Sequence, residues 1–525
     1  MTRGSARADP IAVLAILCVI GAAALSGETT PSSPARARSE LTGVDGLARV
    51  YDCILDARFA EVDAELQRAC GPAPREACDV LDATATWWQI LLDPESRALD
   101  SEFAAADERA IKSAEAWTER EPENAEAHFY LGAAYAARVQ WRVLRDEKLA
   151  AARDGKRIKQ ALDRAIALDP DLEDAYFGVG LYQYYADMAP TAAKVLRFLL
   201  LLPGGNKTEG LAKMLRARSH GRLLQGEADY QLQIIYLWYE HRVDRAVALL
   251  GSLRDRYPGN PLFSSELARV RDVYQHDLTG SLGVWRELLA SAREQRVNEA
   301  ALAEVQARLA MARQLDTLYQ TDHALEQLRA VIELRPVRPY GALAEAYLGL
   351  GRAEDRLGHH DAAIAAYRLA MSSAPSPDPH SVRQKAADAM RHQPDATRAE
   401  AFRLSLEGYR KLEKSDVSGA EATLARSIAL DPRDPVARYR YGRVLQTRKQ
   451  DAAALQQFAA AIAAARDCPG PIAAAAYLEA ARLHERLGHR VQAIAFYRVA
   501  TTWFGGGADT RAAATRALTR LRALK

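Results

Sequence analysis

Apolar residues return along this chain at steps of four and three, and a proline closes each set. Ala363, Tyr367 and Ala370 are followed by Pro375. The same order recurs as Ala246, Leu250, Leu253, Pro258, as Ala324, Leu328, Val331, Pro336, and as Ala420, Leu424, Ser427, Pro432. Steps of three and four residues track one face of a 3.6-residue turn, so each set predicts a helix with one inward stripe. Proline lacks a backbone N–H and clashes with the preceding turn, so each helix ends there. A second stripe lies upstream: Tyr347, Leu350 and Gly351 precede Ala363, Leu404 and Gly408 precede Ala420, and Tyr441, Gly442 and Leu445 precede Ala454, Phe458 and Ala461. From Gly to the following Ala is twelve residues in all three, and Ala454 follows Ala420 by 34. Small residues let two helices approach, and Tyr, Leu or Phe fills the space to the next pair. A pair of this kind cannot bury its apolar stripe alone, so successive pairs must stack. Polar–apolar alternation over strand length is nearly absent, which predicts no sheet.

With these residues in view, the chain resembles the tetratricopeptide repeat (TPR) family, whose pattern is W-x2-L-G-x2-Y, then A-x3-F, then a closing proline. The second half of the pattern is kept; in the first half Tyr or Leu stands in place of Trp. The resemblance covers about eight units over roughly residues 45–507. It implies an all-α fold, a right-handed superhelical solenoid of antiparallel helix pairs. It also implies a scaffold that binds protein or peptide through its concave face. A narrower resemblance covers Ala125–Phe263, where AHFYLGAAYAAR, ARDGKRIKQALDRAIALDPDLEDAYFGVGLYQYYAD and LLLLPGGNKTEGL are similar to a group of exported bacterial repeat proteins without an assigned activity.

The expected organisation is a signal peptide at 1–26, a disordered spacer at 27–40 and divergent helical repeats at 41–124. TPR-like repeats with a long insertion follow at 125–263, then TPR-like repeats at 264–377, of which 264–312 match the pattern poorly, an inserted helix at 378–400, repeats at 401–507 and a capping helix at 508–525. The insertion is visible as spacing. Tyr135 to Ile158 spans 23 residues where nine are usual, so fourteen extra residues, Trp141 to Asp154, lengthen both helices of that pair.

Ile11–Leu25 is an apolar run behind Arg3 and Arg7, with Ala24 and Ser26 as small residues before Gly27. It reads as a secretory signal, being shorter than the ~20 residues of a membrane span. Export to the periplasm or cell envelope is the expectation, and an uncleaved inner-membrane anchor at 11–25 is the alternative. Leu17 before Cys18 argues against a lipoprotein signal. Cys53, Cys70, Cys78 and Cys468 then remain in a compartment that permits disulfides. Cys70 and Cys78 flank a Gly-Pro-Ala-Pro turn; pairing of either with Cys53 stays open.

The net charge of +2, with both signs interspersed, is a solvated surface and no nucleic-acid footprint. Catalytic and metal motifs fail on spacing. His484-Glu485 and His489 are H-E-x-x-x-H, one residue too long for a zinc-protease helix. His359-His360-Asp361 reads as a turn with Asp361 capping the next helix. Gly204-Gly205-Asn206-Lys207-Thr208 lacks the glycine before Lys that a phosphate loop needs, and reads as a helix start. No enzyme, cofactor or metal is indicated; the competing reading is an envelope enzyme or accessory with a pocket near 195–210. Val195–Leu202 is expected as core, and Ala508–Lys525 as an amphipathic cap with at most weak membrane-surface contact.

Partner-binding candidates come from the resemblance, which implies that the first helix of each unit lines the groove. Counted from Ala344, Pro435 and Ala474, groove positions include Arg352, Arg356, Tyr439, Arg443, Arg482 and Arg486. Guanidinium forks pair carboxylates, which suits an acidic segment of protein or peptide. A second candidate patch is aromatic, Phe177, Tyr184 and Tyr185 counted from Glu173; the spacing fits an interface and packing against the long inserted helix equally well.

Overall fold

The computed structural model describes residues 40–188, 204–392 and 395–523. The signal-like segment with Cys18, nearly all of the spacer and the run Val195–Leu202 lie outside these. Among the described residues the secondary structure is helical throughout, with no strand. The chain divides into two compact units between Phe263 and Ser264.

The C-terminal unit is a succession of helix pairs of tetratricopeptide type. Ala342–Arg356 pairs with His360–Ser373, Ala396–Glu413 with Val417–Leu430, Pro435–Thr447 with Asp451–Ala463, and Gly470–Arg486 with Arg490–Thr502. Ala508–Ala523 covers the last pair, its Ala514, Leu518 and Leu521 packing against Ala493 and Tyr497. Local chemistry sets the starts: Asp395, Asp416 and Asp434 each accept hydrogen bonds from backbone N–H groups of the first turn. The helices His360–Ser373 and Val417–Leu430 end just before Pro375 and Pro432, as the pattern requires.

The repeated positions are the core. Ala363, Tyr367 and Ala370 are at most 1% exposed, as are Ala420, Leu424 and Ser427. The glycines explain the pairing. A Cβ on Gly351 would lie 2.4 Å from the Tyr367 ring, one on Gly408 2.5 Å from Leu424, and one on Gly442 2.6 Å from Phe458. Each glycine therefore gives up its volume to the large side chain sixteen positions later. Burial of a side chain such as Phe458 contributes about 2–3 kcal/mol, conditional on that gap.

In the N-terminal unit the same contact joins Gly132 to Leu162, at 2.7 Å for a Cβ and thirty positions later. The fourteen-residue excess is the insertion, and it lengthens both Ala125–Leu144 and Lys148–Leu168. The added turns are held by a buried charge cluster. Asp154, 1% exposed, accepts from Arg138 at 3.0 Å and from Arg142, and Asp107 lies 3.6 Å from Arg138. Burial, only partly offset by Arg138, raises the Asp107 carboxyl to about 7.

This unit closes on itself. The first helix, Val44–Leu55, packs against Gln225–Trp238 and the turn that follows Val243–Arg256. Tyr257 donates to Asp52 at 2.9 Å, and Asn260 donates to the Leu55 carbonyl at 2.7 Å. Every residue of Gln225–Trp238 from Gly226 to Leu237 is buried. The expected free inner wall is therefore occupied here by the chain's own helices. Pairing the strongly apolar helices Val44–Leu55 and Arg75–Leu92 against that wall removes from water a surface that no neighbouring repeat covers.

The cysteines resolve as a Cys70–Cys78 disulfide across the Gly71–Pro74 turn, with Cys53 and Cys468 free. Asp361 does not cap its helix as expected. His359 holds the cap position, its Nδ1 2.8 Å from Glu354, and Asp361 sits in the first turn, where a negative charge faces the helix dipole favourably. Asn206 starts Lys207–His220 by accepting from the Thr208 and Glu209 amides.

Candidate partner-binding surface

In the C-terminal unit the first helices of successive pairs touch through polar side chains. Arg440 on Pro435–Thr447 donates to Ser405 Oγ at 2.9 Å and to the Tyr319 carbonyl at 2.7 Å. Gln446 donates to Glu479 on Gly470–Arg486 at 2.9 Å. Arg440 is 3% exposed and forms no ion pair with a carboxylate among the described residues. Its guanidinium instead lies over the Tyr409 ring, 4.8 Å from the centroid. Burial lowers its pKa to about 10, so it remains a cation at neutral pH.

The six groove candidates fall into two sets. Arg356 pairs with Asp316 at 3.2 Å, donates to the Asp316 carbonyl and lies between the Tyr319 and Phe402 rings. Arg486 reaches Asp451 at the start of the preceding second helix, at 2.8 Å. These two tie repeats together. Arg482 pairs with Glu479 at 2.7 Å while half of its side chain stays exposed. Arg443 is exposed and hydrogen bonds the Tyr439 hydroxyl at 3.2 Å, with no carboxylate in ion-pair range among the described residues. Tyr439 is half-buried, its ring 6.0 Å from Phe458. Arg352 is exposed beside Tyr367 and likewise has no carboxylate partner among the described residues. The buried Arg440 behind Arg443 and Tyr439 was missed from the sequence. Its signal was position: the residue after Tyr439 on a helix that packs against both neighbours.

The aromatic patch is corrected. Phe177 and Tyr184 are 6% and 0% exposed, and Tyr184 donates to Glu240 at 2.6 Å. Tyr185 packs edge-on to Tyr184 and Tyr239. All three face inward, because the closed N-terminal unit covers the wall that an open solenoid would leave free. The pocket expected at 195–210 falls largely outside the described residues; a partly open cavity lies elsewhere, lined by Phe177 and Tyr185 among others.

His484 and His489 do meet, Nδ1 to Nδ1 at 3.3 Å, since His489 holds the cap position of the next helix and folds back. Among the described residues no cluster of three or more His, Cys, Asp or Glu could hold a metal.

Stacked helix pairs, two of them closed by a glycine-to-aromatic contact (Gly351 with Tyr367, Gly442 with Phe458), define a helical-repeat fold. The tetratricopeptide repeat family matches residues 344–377, the pair built on Gly351 and Tyr367. No curated protein matches by sequence. Among solved structures, the human IFIT1 dimer with m7Gppp-AAAA is 14% identical, with 81% of this chain and 94% of that chain covered and a TM-score of 0.34. The P58(IPK) TPR domain is 13% identical over 78% of this chain and 99% of that chain, with a TM-score of 0.21. Among the described residues no helix is long and apolar enough to cross a membrane.

Proposed function

We propose that the chain is a non-catalytic scaffold whose C-terminal unit binds an acidic segment of a protein or peptide. The supporting observation is the contrast among its arginines. Of the five arginines at the groove positions, Arg356, Arg482 and Arg486 are each paired with a carboxylate. Arg443 is not, and the buried Arg440 beside it adds a second positive charge without an ion-pair partner. A peptide carboxylate at this point gains a charge-assisted fork and displaces only water. Tyr439 supplies rigid contact area, and Arg352 and Arg482 extend the reach along neighbouring pairs. Export completes the proposal, on the signal-like residues 11–25 and on the Cys70–Cys78 disulfide, a bond that oxidising compartments sustain.

The test is fluorescence anisotropy with a labelled acidic decapeptide and a neutral control of equal length. Arg443→Glu combined with Arg352→Glu is expected to weaken acidic-peptide binding at least about tenfold, with the melting temperature unchanged, since both are exposed and neither has a carboxylate partner among the described residues. Binding should also weaken as salt is raised. Equal affinity for both peptides, or an unaffected double variant, refutes the proposal.

A further inference from the structure

The N-terminal unit holds a partly open cavity of about 160 Å³ between its first helices and the inner wall they cover. The wall is mostly apolar, with Trp87, Trp88, Phe129 and Tyr130 among its members. One end is polar. Glu227, 6% exposed, accepts from Tyr51 at 3.2 Å and from Gln231 at 3.0 Å. The Gln231 amide also donates to Gln140 at 3.0 Å. Five polar atoms of the lining residues are buried without a hydrogen-bond partner: Nε1 of Trp87 and of Trp88, the Tyr130 hydroxyl, the Tyr185 hydroxyl and Gln231 Oε1. Tyr130 and Gln231 are each 1% exposed. Buried groups of this kind are costly to leave unpaired and are rare in native proteins, so their concentration around one void points to a missing occupant.

We propose that this cavity binds a neutral, ring-sized aromatic molecule carrying a hydroxyl or carbonyl oxygen. Size comes from the volume: a dry cavity of about 150 Å³ accommodates a benzene ring in an unrelated protein. The oxygen comes from the orphaned atoms. A ligand oxygen can accept from the Tyr130 or Tyr185 hydroxyl, and a ligand hydroxyl can donate to Gln231 Oε1.

Neutrality comes from the charges. The lining holds two acids, Asp174 and Glu227, and no lysine or arginine among the described residues, so an anion meets repulsion. Asp174 is already engaged by the backbone N–H groups of Arg222, Leu223 and Leu224. Glu227 has only neutral hydrogen-bond partners, and burial raises its pKa. Both oxygens of each acid already accept a hydrogen bond, so a cation finds no unengaged carboxylate oxygen.

The probe is 4-methylphenol, with benzoate and benzylamine as charged molecules of similar size. Each is titrated into the full chain by calorimetry and by the fluorescence of the tryptophans, Trp87 and Trp88 being in the wall. 4-Methylphenol is expected to bind with a sub-millimolar Kd, at least about tenfold tighter than either charged analogue. Ala136→Leu, at a lining alanine, is expected to weaken binding about tenfold or more. Tyr130→Phe is expected to weaken it about fivefold without lowering the melting temperature, because the lost hydroxyl has no protein partner. No binding of 4-methylphenol up to about 10 mM, equal binding of a charged analogue, or wild-type affinity in Ala136→Leu overturns the proposal.

Discussion

Gly351→Ala should destabilise the C-terminal unit, although the same exchange in an ordinary helix stabilises. Alanine gains about 1 kcal/mol over glycine in a helix interior. At Gly351 the new Cβ would sit 2.4, 2.5 and 2.9 Å from three carbons of the Tyr367 ring. Ordinary contact needs more than 3.4 Å, so the ring must move by about 1 Å. It is poorly placed to do so, being 1% exposed with its hydroxyl donating to Asp355 at 2.8 Å. Overpacking of this kind costs about 1–3 kcal/mol, and loosening a hydrogen bond to a carboxylate adds about 1–2. The net expectation is a loss of about 1–3 kcal/mol. Gly283, in Leu278–Arg293 of the same unit, provides the control, since a Cβ there meets nothing within 4 Å. Gly283→Ala should stabilise by about 0.5–1 kcal/mol. Two identical substitutions should therefore differ by about 2–4 kcal/mol. Urea unfolding followed by circular dichroism at 222 nm measures both. Adding Tyr367→Leu should erase most of the Gly351→Ala penalty, because the shorter side chain vacates the contact. If Gly351→Ala proves as stable as Gly283→Ala, the glycine-to-aromatic contact does not organise the repeat and the pairing is misassigned.

Two further outcomes follow from the N-terminal unit. The native Asp107 carboxyl titrates at about 7, above its unfolded value, so the native state retains a proton that the unfolded state loses. The Asp107 contribution to stability is then undiminished at low pH and falls as pH rises to about 7; Asp107→Asn should gain on the wild type across that window and level off above it, by thermal melts from pH 4 to 8. Replacing Cys70 and Cys78 together by alanine should cost about 2–3 kcal/mol from the short loop alone, and reductant should lower the wild-type melting temperature but leave the variant unmoved.

Residues 344–377 and 401–502 were legible from pattern alone, because the contact that forms them is local. Gly351 and Tyr367 are one helix turnaround apart, and period, small residue and closing proline leave little choice of partner. The insertion was legible for the same reason: fourteen extra residues between matching positions have nowhere to go but the two helices that bracket them. The arginines were legible as residues and as exposed positions, but not by role. Arg356 and Arg486 look like Arg443 in sequence; Asp316 and Asp451 separate them only through space.

Amino-acid order by itself determined that the repeats at 344–377 and 401–502 are stacked helix pairs, where a proline closes their helices and which residues of the repeated stripes face inward, since those follow from turn geometry and volume over a few dozen residues. Only the tertiary structure decided whether an inner wall stays open. Val44–Leu55 reaches Gln225–Trp238 across some 170 residues, as in the Tyr51–Glu227 contact. No periodicity encodes such a contact, because it depends on how small rotations between successive pairs accumulate. That closure buried Phe177 and Tyr184 and created the cavity beside Glu227.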